Sequence, residues 1–249
     1  MKYVGNMLAI FKREITSFFS SITGALVVSV FLLLTGLFLW VIPNEFNILY
    51  GGYATLESLF YIAPWVYLFL VPAVCMRLFA DEKRMGTLDL LLTRPVSEMQ
   101  IVFGKFLAGL VVVVISLLPT LIYVYSVYQL GNPIGNLDMG ATWGSYIGLF
   151  FLAAVYVAIG VFASSITDNQ IIAFVIAVLL SFMLYSGFDL LAELPSMRSQ
   201  RDLIIYLGID SHYSSLSRGV IDIRDIVHLS SLVYFFLFLT KLSILRHKR

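Results

Sequence analysis

The chain has 249 residues, of which 60% are hydrophobic and 12% are charged, and its formal net charge is +1. A soluble domain has about a quarter of its residues charged, so the composition indicates an integral membrane protein and gives no sign of a nucleic-acid partner. The single cysteine, Cys75, cannot form a disulfide within the chain and is interpreted as a buried apolar residue. The sequence predicts one membrane domain over residues 1–249.

The first segment predicts an amphipathic helix over residues 1–20. Its apolar residues recur at spacings of three and four, which places them on one helical face: Val4, Met7, Leu8, Phe11, Ile15, Phe18 and Phe19. Lys12 and Arg13 lie away from that face, a pattern typical of a helix in the membrane interface. A frayed extension of the first span is the alternative. No small-residue cleavage site follows, so a cleaved signal peptide is not expected.

Six stretches are apolar and long enough to cross a bilayer, which takes about 20 helical residues. They are residues 22–42, 58–76, 106–130, 142–166, 171–188 and 226–245. Pro64, Pro72 and Pro119 predict kinks in the second and third spans, with a moving hinge as the alternative. An even number of spans places both termini on one side, and twelve of the sixteen Lys and Arg residues then share that side. The positive-inside rule therefore predicts cytoplasmic termini.

Residues 77–105 predict a cytoplasmic loop that contains a short crosswise helix. Gly86 ends the preceding helix, and Pro95 disfavours helical backbone at Arg94, so the short helix is predicted over residues 87–93. Ser97 and Gln100 have capping-box spacing, which predicts a new helix that runs into the third span. The leucines within 88–92 are too few to cross a membrane and costly in water, so we expect them to require lipid or a protein partner. A plain interfacial loop is the alternative.

Residues 189–225 predict an outer loop. The apolar pieces 190–194 and 203–207 are too short to span, and they suit short helices at the outer interface or a cap over an exit path. His212 has no neighbour at metal-ligand spacing, so it is not expected to bind a metal. On the opposite side, Thr167 and Gln170 again have capping-box spacing and predict the start of the fifth span.

No motif in the sequence supports catalysis. The phosphate-binding pattern GxxxxGK[ST] is absent, and the span centres carry none of the ionisable groups typical of proton-driven or sodium-driven transport. We therefore expect no cofactor or metal in this chain. Energy for uphill transport would have to come from another subunit, which favours the crosswise helix as its docking site.

A resemblance to ABC-2 type permeases is carried by the string DEKRMGTLDLLLTRPVSEMQIVFGKFLA, residues 81–108. The string LSRGVIDIRDIVHL, residues 216–229, is similar to the end of the outer loop in the same family. Within that family, the chain resembles the gliding-motility-associated branch most closely. The strings that carry this resemblance are SFFSSITGALV, FLLLTGLFLWV, YIAPW, QLGNPIGN and TDNQIIAF. The resemblance implies an all-α, type-V ABC exporter transmembrane domain in the inner membrane.

The resemblance also implies a site and partners. The implied ATPase-coupling residues are Glu82, Gly86, Thr87, Leu88, Asp89, Leu91, Leu92, Arg94 and Pro95. The implied outer-loop motif is Arg218, Gly219, Asp222 and Asp225. The expected assembly is two permease copies with a GldA-like ATPase dimer, which binds ATP and Mg²⁺, and a GldG-like accessory membrane protein.

ATP binding is expected to pull the coupling helices and tilt the second and third spans. One departure from the family pattern is the run DEK at 81–83, where many relatives have EE, and this leaves its contacts open. The alternative functions are an ABC-2 permease for metal-cofactor assembly or for sodium or drug efflux, a channel that needs no ATPase, and a scaffold of a membrane machine.

Overall fold

The computed structural model describes residues 2–93 and 96–247, and within these ranges every regular element is a helix. In chain order the helices are α1 (Lys2–Phe19), α2 (Ile22–Gly36), α3 (Glu57–Cys75), α4 (Arg77–Arg84), α5 (Thr87–Leu92), α6 (Glu98–Leu117), α7 (Leu121–Leu130), α8 (Met139–Ile166), α9 (Gln170–Phe182), α10 (Phe188–Ala192), α11 (Arg201–Leu207), α12 (Ile209–Leu216) and α13 (Ile223–His247). Wider π-helical turns extend α2 over Leu37–Val41 and join α9 to α10 over Met183–Gly187. Tighter 3-10 turns lie at Leu118–Thr120, where Pro119 was expected to disturb the third span, and at Pro195–Gln200.

Six helical stretches of the described chain are long and apolar enough to cross a membrane. These are spans one to six: Gly24–Val41, Glu57–Arg84, Glu98–Leu130, Met139–Ile166, Gln170–Ala192 and Ile223–Arg246. The predicted all-helical class and the number of spans are confirmed. Spans two and three reach well past their apolar runs into charged sequence, because the charged residues there have partners on neighbouring helices.

Spans two, three and four form the core of the bundle, whereas spans one, five and six are mostly exposed. Helix α8 lies at the centre and contacts α3, α6, α9 and α13. Small residues permit this close packing. A Cβ atom on Gly160 would lie only 2.6 Å from the Cβ of Cys75, so span four has no room for a larger residue where it crosses span two.

The bundle has two distinct ends. Helices α1, α4 and α5 and the C-terminal part of α13 lie at one end, where the Ser243 hydroxyl donates to the Ser165 carbonyl at 2.8 Å. We call this the terminal end. Helices α11 and α12 lie at the opposite end, the distal end.

Helix α1 packs along α6 at the terminal end rather than lying alone. Ile10 and Phe18 are its buried residues, whereas Leu8 and Phe19 are about half exposed. The predicted helix is therefore present, and in addition it packs on the bundle, where Ile10 fits against Gly104 of α6. The side chain of Val4 lies outside the described residues.

The segment 77–105 contains helices where the sequence predicts them: one before Gly86, a short one after it and one that begins next to Ser97. Helix α4 continues span two after a one-residue break at Met76, and α6 begins at Glu98. Lys105, counted as a loop residue in the sequence, lies inside α6 and is fully buried.

The break at Met76 is stabilised by a hydroxyl from span four. Ser164 Oγ accepts hydrogen bonds from the backbone N–H groups of Phe79 (2.9 Å) and Ala80 (3.1 Å) and donates to the carbonyl of Met76 (2.9 Å). One side chain thus satisfies three backbone groups that an uninterrupted helix would pair internally. The α3–α4 junction is a stabilised break rather than a frayed end.

One of the two predicted capping boxes is confirmed. Ser97 caps α6, because Gln100 N donates to its hydroxyl (3.4 Å) while Ser97 N donates to the Gln100 side chain (3.0 Å). The prediction at Thr167 is wrong, since Asn169 is the cap of α9. Its Oδ1 accepts from Ile171 N (2.9 Å) and lies immediately before the helix, where the reach to the first N–H groups is shortest.

Candidate functional site

Helix α5 connects spans two and three at the terminal end. Gly86 precedes it with a φ of +67°, a left-handed conformation that glycine adopts without strain and that turns the chain out of α4. The short helix then runs from Thr87 to Leu92, close to the predicted range. Two of the predicted coupling residues, Arg94 and Pro95, lie outside the described residues.

The leucines of α5 divide between two faces. Leu88, Leu91 and Leu92 are buried within the chain, whereas Leu90 is 67% exposed. Positions i, i+3 and i+4 share a helical face, which explains the division. The expectation that these leucines require lipid or a partner is therefore wrong for the three buried ones. It stands as an expectation for Leu90, and Met85, just before Gly86, is likewise 66% exposed.

Helix α5 and the turn before it share an exposed surface that combines two large apolar side chains with polar neighbours. Its residues are Met85, Gly86, Thr87, Asp89 and Leu90. We call it the α5 patch.

Helix α4 carries the charged run 81–83, whose contacts the sequence left open. Its three side chains reach in different directions. Asp81 accepts from the Gln170 side chain, Lys83 donates to the Ser165 carbonyl, and Glu82 pairs with Arg13 of α1 at 2.5 Å. Helix α4 is thus held to the α8–α9 turn on one side and to α1 on the other.

Lys105 lies at the centre of a buried charge cluster formed by Arg13, Glu14, Glu82 and Lys105, which we call the charge node. Its Nζ lies 3.0 Å from Glu14 Oε1 and 3.1 Å from Glu82 Oε2, and it donates to the Leu78 carbonyl at 2.5 Å. The Lys105 side chain is only 1% exposed. An ammonium at such a depth requires paired carboxylates, and two are present.

Arg13 completes the charge node from its surface side. It is 53% exposed and lies 2.6 Å from Glu14 and 2.5 Å from Glu82. Burial alone would raise the pKa of the Glu14 carboxyl, but Lys105 and Arg13 outweigh burial and hold that pKa below its ordinary value. The four side chains come from α1, α4 and α6 and balance to zero charge.

The sequence did not reveal the charge node, because its members lie far apart in the chain. Lys105 and Glu14 are separated by 91 residues. The one available signal was Glu14 itself, which lies four residues from both Ile10 and Phe18 and therefore on the buried face of α1.

At the distal end, the predicted outer-loop motif forms a turn that packs on the start of span four. Gly219 has a φ of +81°, and a Cβ atom there would fall 2.2 Å from the Cα of Ala141. Arg218 Nε donates to the Ser214 carbonyl at 3.1 Å, and the Asp222 carboxylate accepts from Arg224 N at 2.8 Å, at the start of α13. These residues therefore shape the turn, and Arg218 also lines a pocket of about 350 Å³ beside the starts of spans two and four.

His212, which has no neighbour at metal-ligand spacing in the sequence, is enclosed by other side chains in the structure. Its Nδ1 lies 2.7 Å from Asp225 Oδ1, and its Nε2 lies 2.8 Å from the Tyr206 carbonyl. The ring stacks on His228 with centroids 4.0 Å apart. In the described part of the chain no group of three or more potential ligands could hold a metal ion. The cluster joins α11, α12 and α13 into one distal cap.

An apolar groove of about 520 Å³ opens between spans one, two and five. Every described residue that lines it is apolar or aromatic, among them Leu26, Val30, Phe38, Tyr61, Trp65 and Phe174. Trp65 also packs edge-on against Tyr185, 5.7 Å between centroids, which links the groove to the interior of the bundle.

Six apolar spans, a short helix exposed between two of them and a lateral apolar groove together define a multi-pass membrane protein of the transporter type. The family described as ABC-2 family transporter protein matches residues 69–245, which extend from span two to span six. The chain therefore belongs to the ABC-2 family, and it is the membrane permease subunit of an ABC transporter. Membership implies an ABC ATPase as its partner in general. No curated protein matches the sequence.

Proposed function

We propose that this permease is the membrane subunit of an ATP-driven exporter whose terminal end faces the cytoplasm and whose α5 patch docks the ATP-binding subunit. The observation that carries the proposal is the exposure of Leu90 on a short helix whose other leucines are buried, together with the exposure of Met85 in the turn that precedes it. Exposed apolar side chains beside charged residues typically mark a protein contact. The predominance of Lys and Arg near the terminal end supports the orientation.

The position of α5 supports a coupling role. It follows α4, which is the charged extension of span two, and it precedes α6, which begins span three. A subunit bound to α5 would therefore act on two core spans at once. ATP and Mg²⁺ would be bound by that subunit, and this chain would contribute no catalytic group.

A second copy of the permease would complete the path. The groove between spans one, two and five is open at the side of a single chain and carries no charge among its described lining residues. Two copies that face each other across this surface would enclose an apolar passage between them, in the manner of a type-V exporter domain. A substrate with a large apolar part suits such a lining.

The biological setting we propose is gliding motility, on the strength of the local strings noted in the sequence. The chain would then act as a GldF-like permease with a GldA-like ATPase dimer and a GldG-like accessory membrane protein, in the inner membrane. Similarity of short strings is the support for this setting.

The test is purification of the permease complex from its native membrane in mild detergent, with ATP hydrolysis measured on the product. Leu90→Asp places a charge in the α5 patch without disturbing the core, because Leu90 is exposed. Leu203→Asp at the distal end is the matched control, since Leu203 is 71% exposed. Leu91 and Leu92 are unsuitable, because they are buried and their replacement would disturb folding.

The expected result is an ATP-hydrolysing complex from the unchanged chain and from Leu203→Asp, and loss of hydrolysis with Leu90→Asp. Retention of full activity in Leu90→Asp would contradict docking at α5. Absence of any ATP-hydrolysing subunit from the unchanged chain would contradict the proposed function as a whole.

A further inference from the structure

The charge node connects α1, α4 and α6, three helices that do not follow one another directly in the chain. Glu82 lies on α4, Glu14 and Arg13 lie on α1, and Lys105 lies on α6. Helix α4 leads through Gly86 to α5, so the node lies at the base of the helix that we propose to dock the ATP-binding subunit.

The break at Met76 separates this region from the rest of span two. Helix breaks are the points at which long helices bend, and here Ser164 supplies the hydrogen bonds that a continuous helix would have made. A displacement of α4 and α5 can bend at this break. Contacts at the sides of α4 are then needed to pass the displacement to other spans.

Lys105 provides the most buried of these lateral contacts. Its ammonium contacts carboxylates of two different helices and a carbonyl of α4, and it lies 4.9 Å from the Phe79 ring centroid. A buried ion pair adds little net stability compared with apolar packing, so stability alone does not account for a lysine here. The ion pairs instead fix the positions of α1 and α4 relative to span three.

We infer that Lys105 is a positioning residue of the coupling step, which joins α1 and the α4–α5 unit to the base of span three so that they move together. The inference rests on the proposed function, because it requires a subunit that displaces α5. Without the ammonium, Glu14 and Glu82 would face each other with only the half-exposed Arg13 between them. Solvent screens the remaining pair between Arg13 and Glu82, so α1 would be held to α4 only weakly and neither helix would be tied to span three.

The experiment measures the movement of α1 by distances between two spin labels. The labels replace Ala9, exposed on α1, and Ile171, 72% exposed at the start of span five. Cys75, the single cysteine, is changed to Ala so that only the two sites react. Distances are recorded for the purified complex in lipid nanodiscs, without nucleotide and with a non-hydrolysable ATP analogue.

The variants are Lys105→Met, Lys105→Arg, which keeps the charge, and Lys12→Met, a matched control at an exposed lysine of α1. We expect the analogue to shift the distance in the unchanged chain, in Lys105→Arg and in Lys12→Met. In Lys105→Met the ATP-binding subunit stays bound, but the shift is lost. Permease-stimulated ATP hydrolysis falls to the rate of the ATP-binding subunit alone.

A purely structural role would not separate subunit binding from movement in this way. If Lys105→Met does not assemble, Glu82→Gln provides the test, because it leaves Lys105 paired with Glu14, and we expect a partial loss of the shift. A full shift in the assembled Lys105→Met complex would overturn the inference. If only Glu82→Gln assembles, a full shift in that variant would overturn it. The inference would also be overturned if the analogue does not move α1 in the unchanged chain. Failure of the proposed function would appear separately, as absence of a bound ATP-binding subunit from the unchanged chain.

Discussion

The terminal and distal ends of this bundle both contain a buried carboxylate paired with another side chain, but the two pairs connect different parts of the chain. At the distal end, His212 and Asp225 are 13 residues apart and join helices that follow each other in the chain. At the terminal end, Lys105 reaches Glu14 across 91 residues and joins three separate helices. A local pair fixes a cap in place, whereas a long-range pair makes distant elements move together.

The two ends also differ in how closely the rest of the protein packs against a glycine with a positive φ angle. Gly219 and Gly86 both have positive φ angles, but Gly219 lies against the backbone of Ala141, whereas a Cβ on Gly86 would meet nothing within 4 Å. The distal turn is packed against span four and the terminal turn is open. An open turn beside α5 suits a surface that receives a partner.

The largest effect on stability is expected from His212→Phe at the distal end. The phenyl ring retains the stacking surface but leaves Asp225 buried without its partner, which should lower the free energy of unfolding by about 3–5 kcal/mol. Thermal unfolding in detergent, followed by tryptophan fluorescence, measures the change. The double variant His212→Phe/Asp225→Leu should recover part of the loss, since no charge is then left buried. A double variant no more stable than the single one would show that the pair is not the cause.

A matched pair of glycine substitutions would sharpen the comparison between the ends. Gly219→Ala should cost about 2–4 kcal/mol, because left-handed strain adds to a clash with Ala141. Gly86→Ala should cost only the strain, about 1 kcal/mol. The same unfolding measurement applies to both. Equal losses in the two variants would contradict the distinction between a packed and an open turn.

Features that depend on residues close in the chain could be predicted from the sequence, whereas features that depend on distant residues could not. The lengths of the apolar runs predict six spans, and Ser97 and Gln100 predict the start of α6, because both depend on residues close in the chain. The burial of Lys105 and of Leu91 could not be predicted, since it depends on which helix lies opposite. The packing of α1 on the bundle was missed for the same reason, as Ile10 fits against Gly104 of span three.

A smaller effect is expected from acid at the terminal end. The pKa of Glu14 lies below its ordinary value of 4.5, so its contribution to holding α1 is fully present above that pH and is lost as the pH falls through the lowered pKa. A spin label at Ala9 should therefore stay immobile at pH 5 and gain mobility only below about pH 4.5. Glu14→Gln should remove this dependence. Mobility that rises already between pH 7 and pH 5 would contradict the account.

The smallest effect is expected from Arg13→Gln. Arg13 is 53% exposed, so solvent screens its pairs with Glu14 and Glu82, and the free energy of unfolding should change by less than about 1 kcal/mol. The unfolding measurement used for the distal variants checks this value. A loss as large as that of His212→Phe would mean that Arg13, rather than Lys105, holds the charge node.

The most direct test of the central claim, that the terminal end docks the ATP-binding subunit through α5, is cysteine crosslinking in the intact membrane. In a Cys75→Ala background, Leu90→Cys places one reactive thiol on the α5 patch, and Leu203→Cys places one at the distal end. The account predicts that a short bifunctional reagent joins the permease to its ATP-binding subunit from position 90 and not from position 203. Crosslinking from 203, or none from 90 in a complex that hydrolyses ATP, would contradict it.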